Sequence, residues 1–182
     1  MSTVYVAFLR GINVGGHNIV PKVELLKVFV SQGYQNVLVY KQSGNVIFQT
    51  DQTNEEVIRK GIQKELHALL GKDIDVFLRS LSYLQELVKS NPFENVDSKN
   101  ASFLVTFFPI DPAPSTPAFP IKIPKTNAEI IKFNKTEAYS VTRGFGEGGK
   151  PNLFLEKTLK TKATTRNWNI IKEIVQPTQN KK

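Results

Sequence analysis

The chain has 182 residues, 40% hydrophobic and 22% charged, with a formal net charge of +8 and no cysteine. That length can bury a genuine core, as one domain or as two small halves, and the lack of cysteine excludes disulfides, thiolate nucleophiles and cysteine-bound metals. No run approaches the ~18 apolar residues of a membrane span, and the N-terminus lacks the pattern of a secretory signal, so the expected setting is the cytoplasm, with no membrane partner.

In chain order, residues 3–9 (TVYVAFL) form a near-continuous apolar run ended by Arg10 and Gly11, the pattern of a central strand covered on one side and partly shielded on the other. Pro21 stands at a helix start, and Val23, Leu26 and Val30, with Leu25 and Phe29, predict an apolar stripe ending near Gly33. NVLVYK at 36–41 and NVIFQT at 45–50 flank a short turn and predict a hairpin. Residues 51–70 carry helical spacing through Val57, Ile58, Ile62, Leu66, Leu69 and Leu70, closed by Gly71, and 73–79 completes the set with a strand.

The fold class expected is therefore α+β, a ferredoxin-like βαββαβ first half over 1–80 packed with a second, degenerate α/β half over 81–182. The second half reads as a helix at 80–90, a strand at 101–108, a proline-rich loop at 109–120, strands at 122–133 and 137–143, and helices near 152–160 and 165–175. No repeat in the sequence supports the second unit, which rests on element order alone.

The first-half topology has a consequence for function. Strands one and three are neighbours, so the end of strand one meets the hairpin turn, and Arg10, Asn13, Gly15 and Gly16 converge with Ser43, Gly44 and Asn45. Arg10 offers a fork for a phosphate or carboxylate, and the glycines bring backbone N–H groups close to it at a helix start. The loop lacks the spacing of a P-loop and the full dinucleotide fingerprint. The plainer reading is a turn whose glycines take positive φ and whose Arg10 pairs with a nearby acid.

In KATTRNWNIIKEI, Thr164 and Thr165 are expected at a helix start, with Arg166 and Asn167 in its first turn and Trp168, Ile171 and Val175 along one face. A cation in a first turn opposes the helix dipole, so Arg166 asks for an anionic partner, Glu156 or a ligand. GFGEGGKPN at 144–152 is a second glycine loop before a helix, but Pro151 stands where a P-loop needs Ser or Thr. Only His17 and His67 are present, so zinc is disfavoured. A Ser43 and His17 pair lacks the elbow motif and a nameable orienting acid. Asp73 and Asp75 read as solvent-facing rather than as a magnesium site. The VYVAFL strand resembles that of an RNA-recognition motif, yet the third strand puts Ser43 and Asn45 where stacking aromatics belong.

Taken together, FLRGINVGGHN, YKQSGNVIF and LEKTLKTKATTRNWN resemble a bacterial domain-of-unknown-function family, numbered sixteen ninety-seven, over nearly the whole chain. The resemblance implies an α+β fold with ferredoxin-like character and no established activity, substrate or cofactor. It carries over Arg10, Gly11, Asn13, Gly15 and Gly16, then Ser43, Gly44 and Asn45, then Glu156, Thr164, Thr165, Arg166, Asn167 and Trp168.

The leading functional expectation is a small phosphate-bearing or carboxylate ligand on the 10–18 and 42–45 loops, held by Arg10, Asn13, Gly15, Gly16, Ser43 and Asn45, with Thr165 and Arg166 closing the site. No catalytic residue, cofactor or oligomeric state is assigned. Residues 150–182 carry eight basic against two acidic side chains, which keeps open a nucleic-acid-binding module. A third reading, from a different class, is a structural or interaction protein whose motif residues only build turns and caps.

Overall fold

The computed structural model describes residues 2–14, 16, 18–41, 44–144 and 146–176. The chain forms two compact units, Met1–Leu84 and Gln85–Lys182.

In the first unit, β1 (Thr3–Leu9), α1 (Lys22–Val30), β2 (Gln35–Tyr40), β3 (Asn45–Thr50), α2 (Glu55–Leu70) and β4 (Val76–Ser80) follow in the expected βαββαβ order. The strands make an antiparallel sheet of order β2-β3-β1-β4, the ferredoxin-like arrangement. Alternation along β1 sends Tyr5, Ala7 and Leu9 into a core with Leu25 and Phe29 of α1 and Ile58, Ile62 and Leu66 of α2. The opposite face is buried too: Val6 and Phe8 are fully covered, and Phe77 and Arg79 nearly so. Burial on both faces is why β1 reads as an unbroken apolar run.

Asn54 caps α2, its side chain accepting from the N–H groups of Glu56 and Val57, and Gly71 ends the helix at φ 69 with its N–H on the His67 carbonyl. The stripe of α1 is turned toward Val28, and that of α2 keeps the expected Ile58, Ile62 and Leu66 but is narrower than expected. Helix α1 buries Leu25, Val28 and Phe29 and leaves Val23 and Val30 exposed, and α2 leaves Val57 and Leu69 exposed. Periodicity alone marks a broad set of apolar positions and passes over Val28, whereas the sheet accepts only the narrower arc that meets it. On the outer strand β2, pairing with β3 shifts register between Gln35 and Leu38, at Asn36 with φ 50.

Helix α3 (Leu81–Ser90) contains the boundary between the units. The second unit continues with β5 (Ala101–Phe107), β6 (Ile121–Lys122), β7 (Ala128–Phe133), β8 (Glu137–Arg143), α4 (Lys150–Leu159), β9 (Thr164–Asn167) and α5 (Trp168–Val175). Its antiparallel sheet has the order β6-β7-β8-β5-β9. Leu155 of α4 packs with Ile130, Phe133 and Ala138 on one face, while Phe93 meets Phe103, Tyr139 and Trp168 in a separate aromatic group.

Two expectations need correction here. The stretch 122–133 is a hairpin rather than one strand, because Lys125 takes φ 61 and the Thr126 hydroxyl ties the turn to Ile123 and Ala128. Thr164–Asn167 is a strand rather than a helix start: β5 pairs with it from Leu104↔Asn167 to Phe107↔Thr164. The helix begins at Trp168 with Asn167 as its cap, and it buries Trp168, Ile171 and Ile174.

Candidate functional site

The two loops expected to converge do so through the backbone. Phe8 stands opposite Asn45, and the Leu9 N–H donates to the Gly44 carbonyl at 2.8 Å. Gly44, at φ 68, is pressed so closely that an added Cβ would lie 3.1 Å from both the Ile12 Cβ and the Leu9 carbonyl. Only glycine satisfies both the positive φ and the approach.

Arg10 follows at once. Its N–H donates to the Asp75 carbonyl at 2.9 Å, and its guanidinium stands 3.6 Å from the Asp75 carboxylate, with both side chains more than a third exposed (35% and 39%). At that exposure the ion pair orients Arg10 more than it stabilises the fold. The loop beyond is closed by its own asparagines. Asn13, at φ 54, uses its carboxamide on both backbone groups of Val20, and the Asn18 amide donates to the Gly11 carbonyl at 2.8 Å. Between these ties Val14 and Ile19 face solvent, and exposed Gly16 takes φ 78. Helix α1 then starts at Lys22, after Pro21, without a side-chain cap and with Glu24 in its first turn, and its first N–H groups carry the partial positive charge of a helix start.

Asn45 is fully buried, and its amide reaches the Tyr40 carbonyl at 3.4 Å across the hairpin. Gly15 and Ser43 lie outside the described residues, as does the Ser43 and His17 pair. Of the acids noted in the sequence, Asp75 is the partner of Arg10, and Asp73 meets His67 at 2.8 Å.

Thr165 and Arg166 sit in the second unit on a strand, so alternation sends them to opposite faces. The Thr165 hydroxyl meets that of Thr106 at 2.7 Å and donates to the Asn152 amide oxygen at 3.0 Å. Arg166 is buried and donates to the Thr164 hydroxyl at 2.7 Å and the Thr165 carbonyl at 2.9 Å. Burial lowers its guanidinium to about 10, still charged at neutral pH. Glu156, named above as a partner for Arg166, accepts the Ala163 N–H at 2.8 Å.

A model of the family described as protein of unknown function (DUF1697) matches residues 1–139. The chain belongs to the DUF1697 family. That span holds all of the first unit, with Arg10, Asn13, Gly44 and Asn45, and ends within β8. No curated protein matches this DUF1697 chain. Among solved structures it is similar to that of the conserved bacterial protein SP0830 from Streptococcus pneumoniae, with a TM-score of 0.62 and 19% identity over 97% of this chain and 98% of the other. At that identity the likeness shows the fold.

The sequence did not single out Asn18, which closes the DUF1697 loop beside Gly11. Its signal is an asparagine seven residues from a glycine at a tight turn, a spacing too common to stand out. Among the described residues no helix is long and apolar enough to cross a membrane, and no group of three or more acidic or histidine side chains is placed to hold a metal.

Proposed function

We propose that the first unit binds a small anion, a phosphate-bearing or carboxylate group, at the surface made by the 10–18 and 42–45 loops. The observation that carries this reading is the junction at Leu9 and Gly44, which fixes a partly exposed arginine beside a glycine-containing loop that leads into an uncapped helix start. Arg10 supplies the charge and the two-pronged donor. Exposed Gly16 and the first turn of α1 supply backbone N–H groups. Asn13 and Asn45 shape the loops from within, since their amides are engaged on Val20 and Tyr40. Recognition is electrostatic, by charge-assisted hydrogen bonds, and no bond-breaking step is assigned.

The test is the melting temperature of the full chain and of Arg10→Ala against phosphates, sugar phosphates, nucleotides, organic acids and short single-stranded RNA. A ligand at a hundred times its dissociation constant stabilises the fold by about 2.7 kcal/mol. A shift in the parent that disappears in Arg10→Ala supports the site. No shift with any member of the panel, or one unchanged in the variant, overturns it. Binding only by RNA, with affinity falling roughly 10³-fold between 50 and 200 mM salt, points instead to a surface that contacts many phosphates.

A further inference from the structure

We propose that the second unit carries a separate binding site, a cleft at one end of its sheet that takes a small zwitterion, with the anionic group on Arg143, Lys122 and Asn127 and the ammonium on Glu129. The cleft has a volume of about 340 Å³ and is lined by Lys122, Thr126, Asn127, Ala128, Glu129 and Arg143, a size in the lower range of small-molecule sites.

Strand register assembles it. Lys122 of β6 stands directly opposite Glu129 of β7, and the Arg143 N–H at the end of β8 donates to the Asn127 carbonyl at 2.9 Å. Asn127 lies just before β7 and its carbonyl extends the β7–β8 pairing by one residue to Arg143, so Asn127, Glu129 two residues on, Lys122 and Arg143 fall on one face across three neighbouring strands. The floor is fixed: the Thr126 hydroxyl donates to the Ile123 carbonyl at 2.9 Å and accepts from the Ala128 N–H at 3.1 Å, and the Ile123 N–H donates to the Ala128 carbonyl at 2.9 Å.

What sets this group apart from ordinary surface charge is its unspent bonding capacity. Opposite charges directly across two strands normally close on each other. Among the described residues, Lys122 and Glu129 make no ion pair with each other or with any neighbour, and the Asn127 carboxamide has no hydrogen-bond partner. The Arg143 guanidinium makes one long bond, to the Asp97 carbonyl at 3.4 Å, which leaves most of its five donors open.

The charge pattern selects the ligand class. Two cations and an amide favour a carboxylate, which the arginine fork meets in two-pronged fashion. Glu129, lying between the cations, repels a plain anion but attracts an ammonium group on the same molecule. A small amino carboxylate satisfies every group that the cleft leaves unpaired. This site is independent of Arg10, so its fate does not depend on the reading of the first unit.

The experiment is a titration of the isotopically labelled full chain, followed by backbone amide shifts, with glycine, β-alanine and γ-aminobutyrate, which span a range of charge spacings. Acetate, methylammonium and inorganic phosphate serve as single-charge controls. Saturable shifts confined to residues 122–129 and 143 with at least one amino carboxylate are expected, weakened about tenfold or more by Arg143→Gln and by Glu129→Gln. Both variants are surface changes and should melt close to the parent, which is checked in the same samples. No saturable shift with any amino carboxylate overturns the proposal. Binding indifferent to both substitutions, or acetate or phosphate binding as tightly as the best zwitterion, also overturns it.

Discussion

Asn13 and Val20 are joined twice through one side chain: the Asn13 amide donates to the Val20 carbonyl at 3.1 Å, and its oxygen accepts the Val20 N–H at 2.7 Å. The carboxamide pairs with Val20 as a backbone peptide unit would and closes the loop that follows Arg10. Asn13→Ala removes both bonds and leaves two backbone groups unsatisfied, so a loss of about 1–3 kcal/mol is expected in urea unfolding. Amide exchange should quicken across 13–20 while the α2 amides stay protected; uniform loosening would contradict a local clamp.

Gly44 is where the two loops touch. An alanine there would have to hold φ 68 and find room 3.1 Å from the Leu9 carbonyl. Gly44→Ala should cost about 1–3 kcal/mol through backbone strain alone, with more from the contact. A melting midpoint equal to that of the parent would mean that the close approach does not govern the junction.

The start of α5 separates two readings of one motif. With Asn167 as the cap, its side chain accepting from the Asn169 N–H at 2.9 Å, Asn167→Ala is expected to destabilise the chain by about 1 kcal/mol. Thr165→Val should also destabilise, by breaking the link from Thr106 to Asn152 rather than by uncapping a helix. Circular dichroism with urea unfolding of both variants tests this: helix loss in Thr165→Val but not in Asn167→Ala would restore the earlier start.

Alkaline pH provides another check. Burial raises the Tyr5 phenol above its ordinary 10.0, with the charge and hydrogen bond of Glu55 adding to the rise, and burial raises Tyr34. The folded chain therefore keeps these protons at pH values where the unfolded chain releases them. The stability they contribute is fully present below pH 10 and is lost as pH rises through the higher folded values. Melting temperature should fall above that point, and less steeply in Tyr5→Phe. An equal slope in that variant would show that Tyr5 does not carry the effect.

The first unit was legible because its signals are local: an apolar run, a hairpin with a short turn, and a glycine stop at Gly71. The βαββαβ order then brought Arg10 to Gly44 without any knowledge of side-chain packing. The second unit was harder to read because its decisive pairings are distant. TTRN has the composition of a helix cap, yet pairing with β5, about sixty residues earlier, draws it into the sheet. The direction of an amide was not legible either. Asn13 and Asn45 suit a ligand and a backbone equally well in sequence, and packing turns both toward their own chain.

The irregularity in β2 changes what this strand offers to another strand. This strand is one edge of the first sheet, with β4 at the other, and a straight edge presents free backbone groups to any other strand. The left-handed turn at Asn36 breaks the row of donors and acceptors near the start of the strand, which shortens the run open to even strand addition. An even ladder along β2 would lengthen that run, so the irregularity works against edge-to-edge pairing at this one strand.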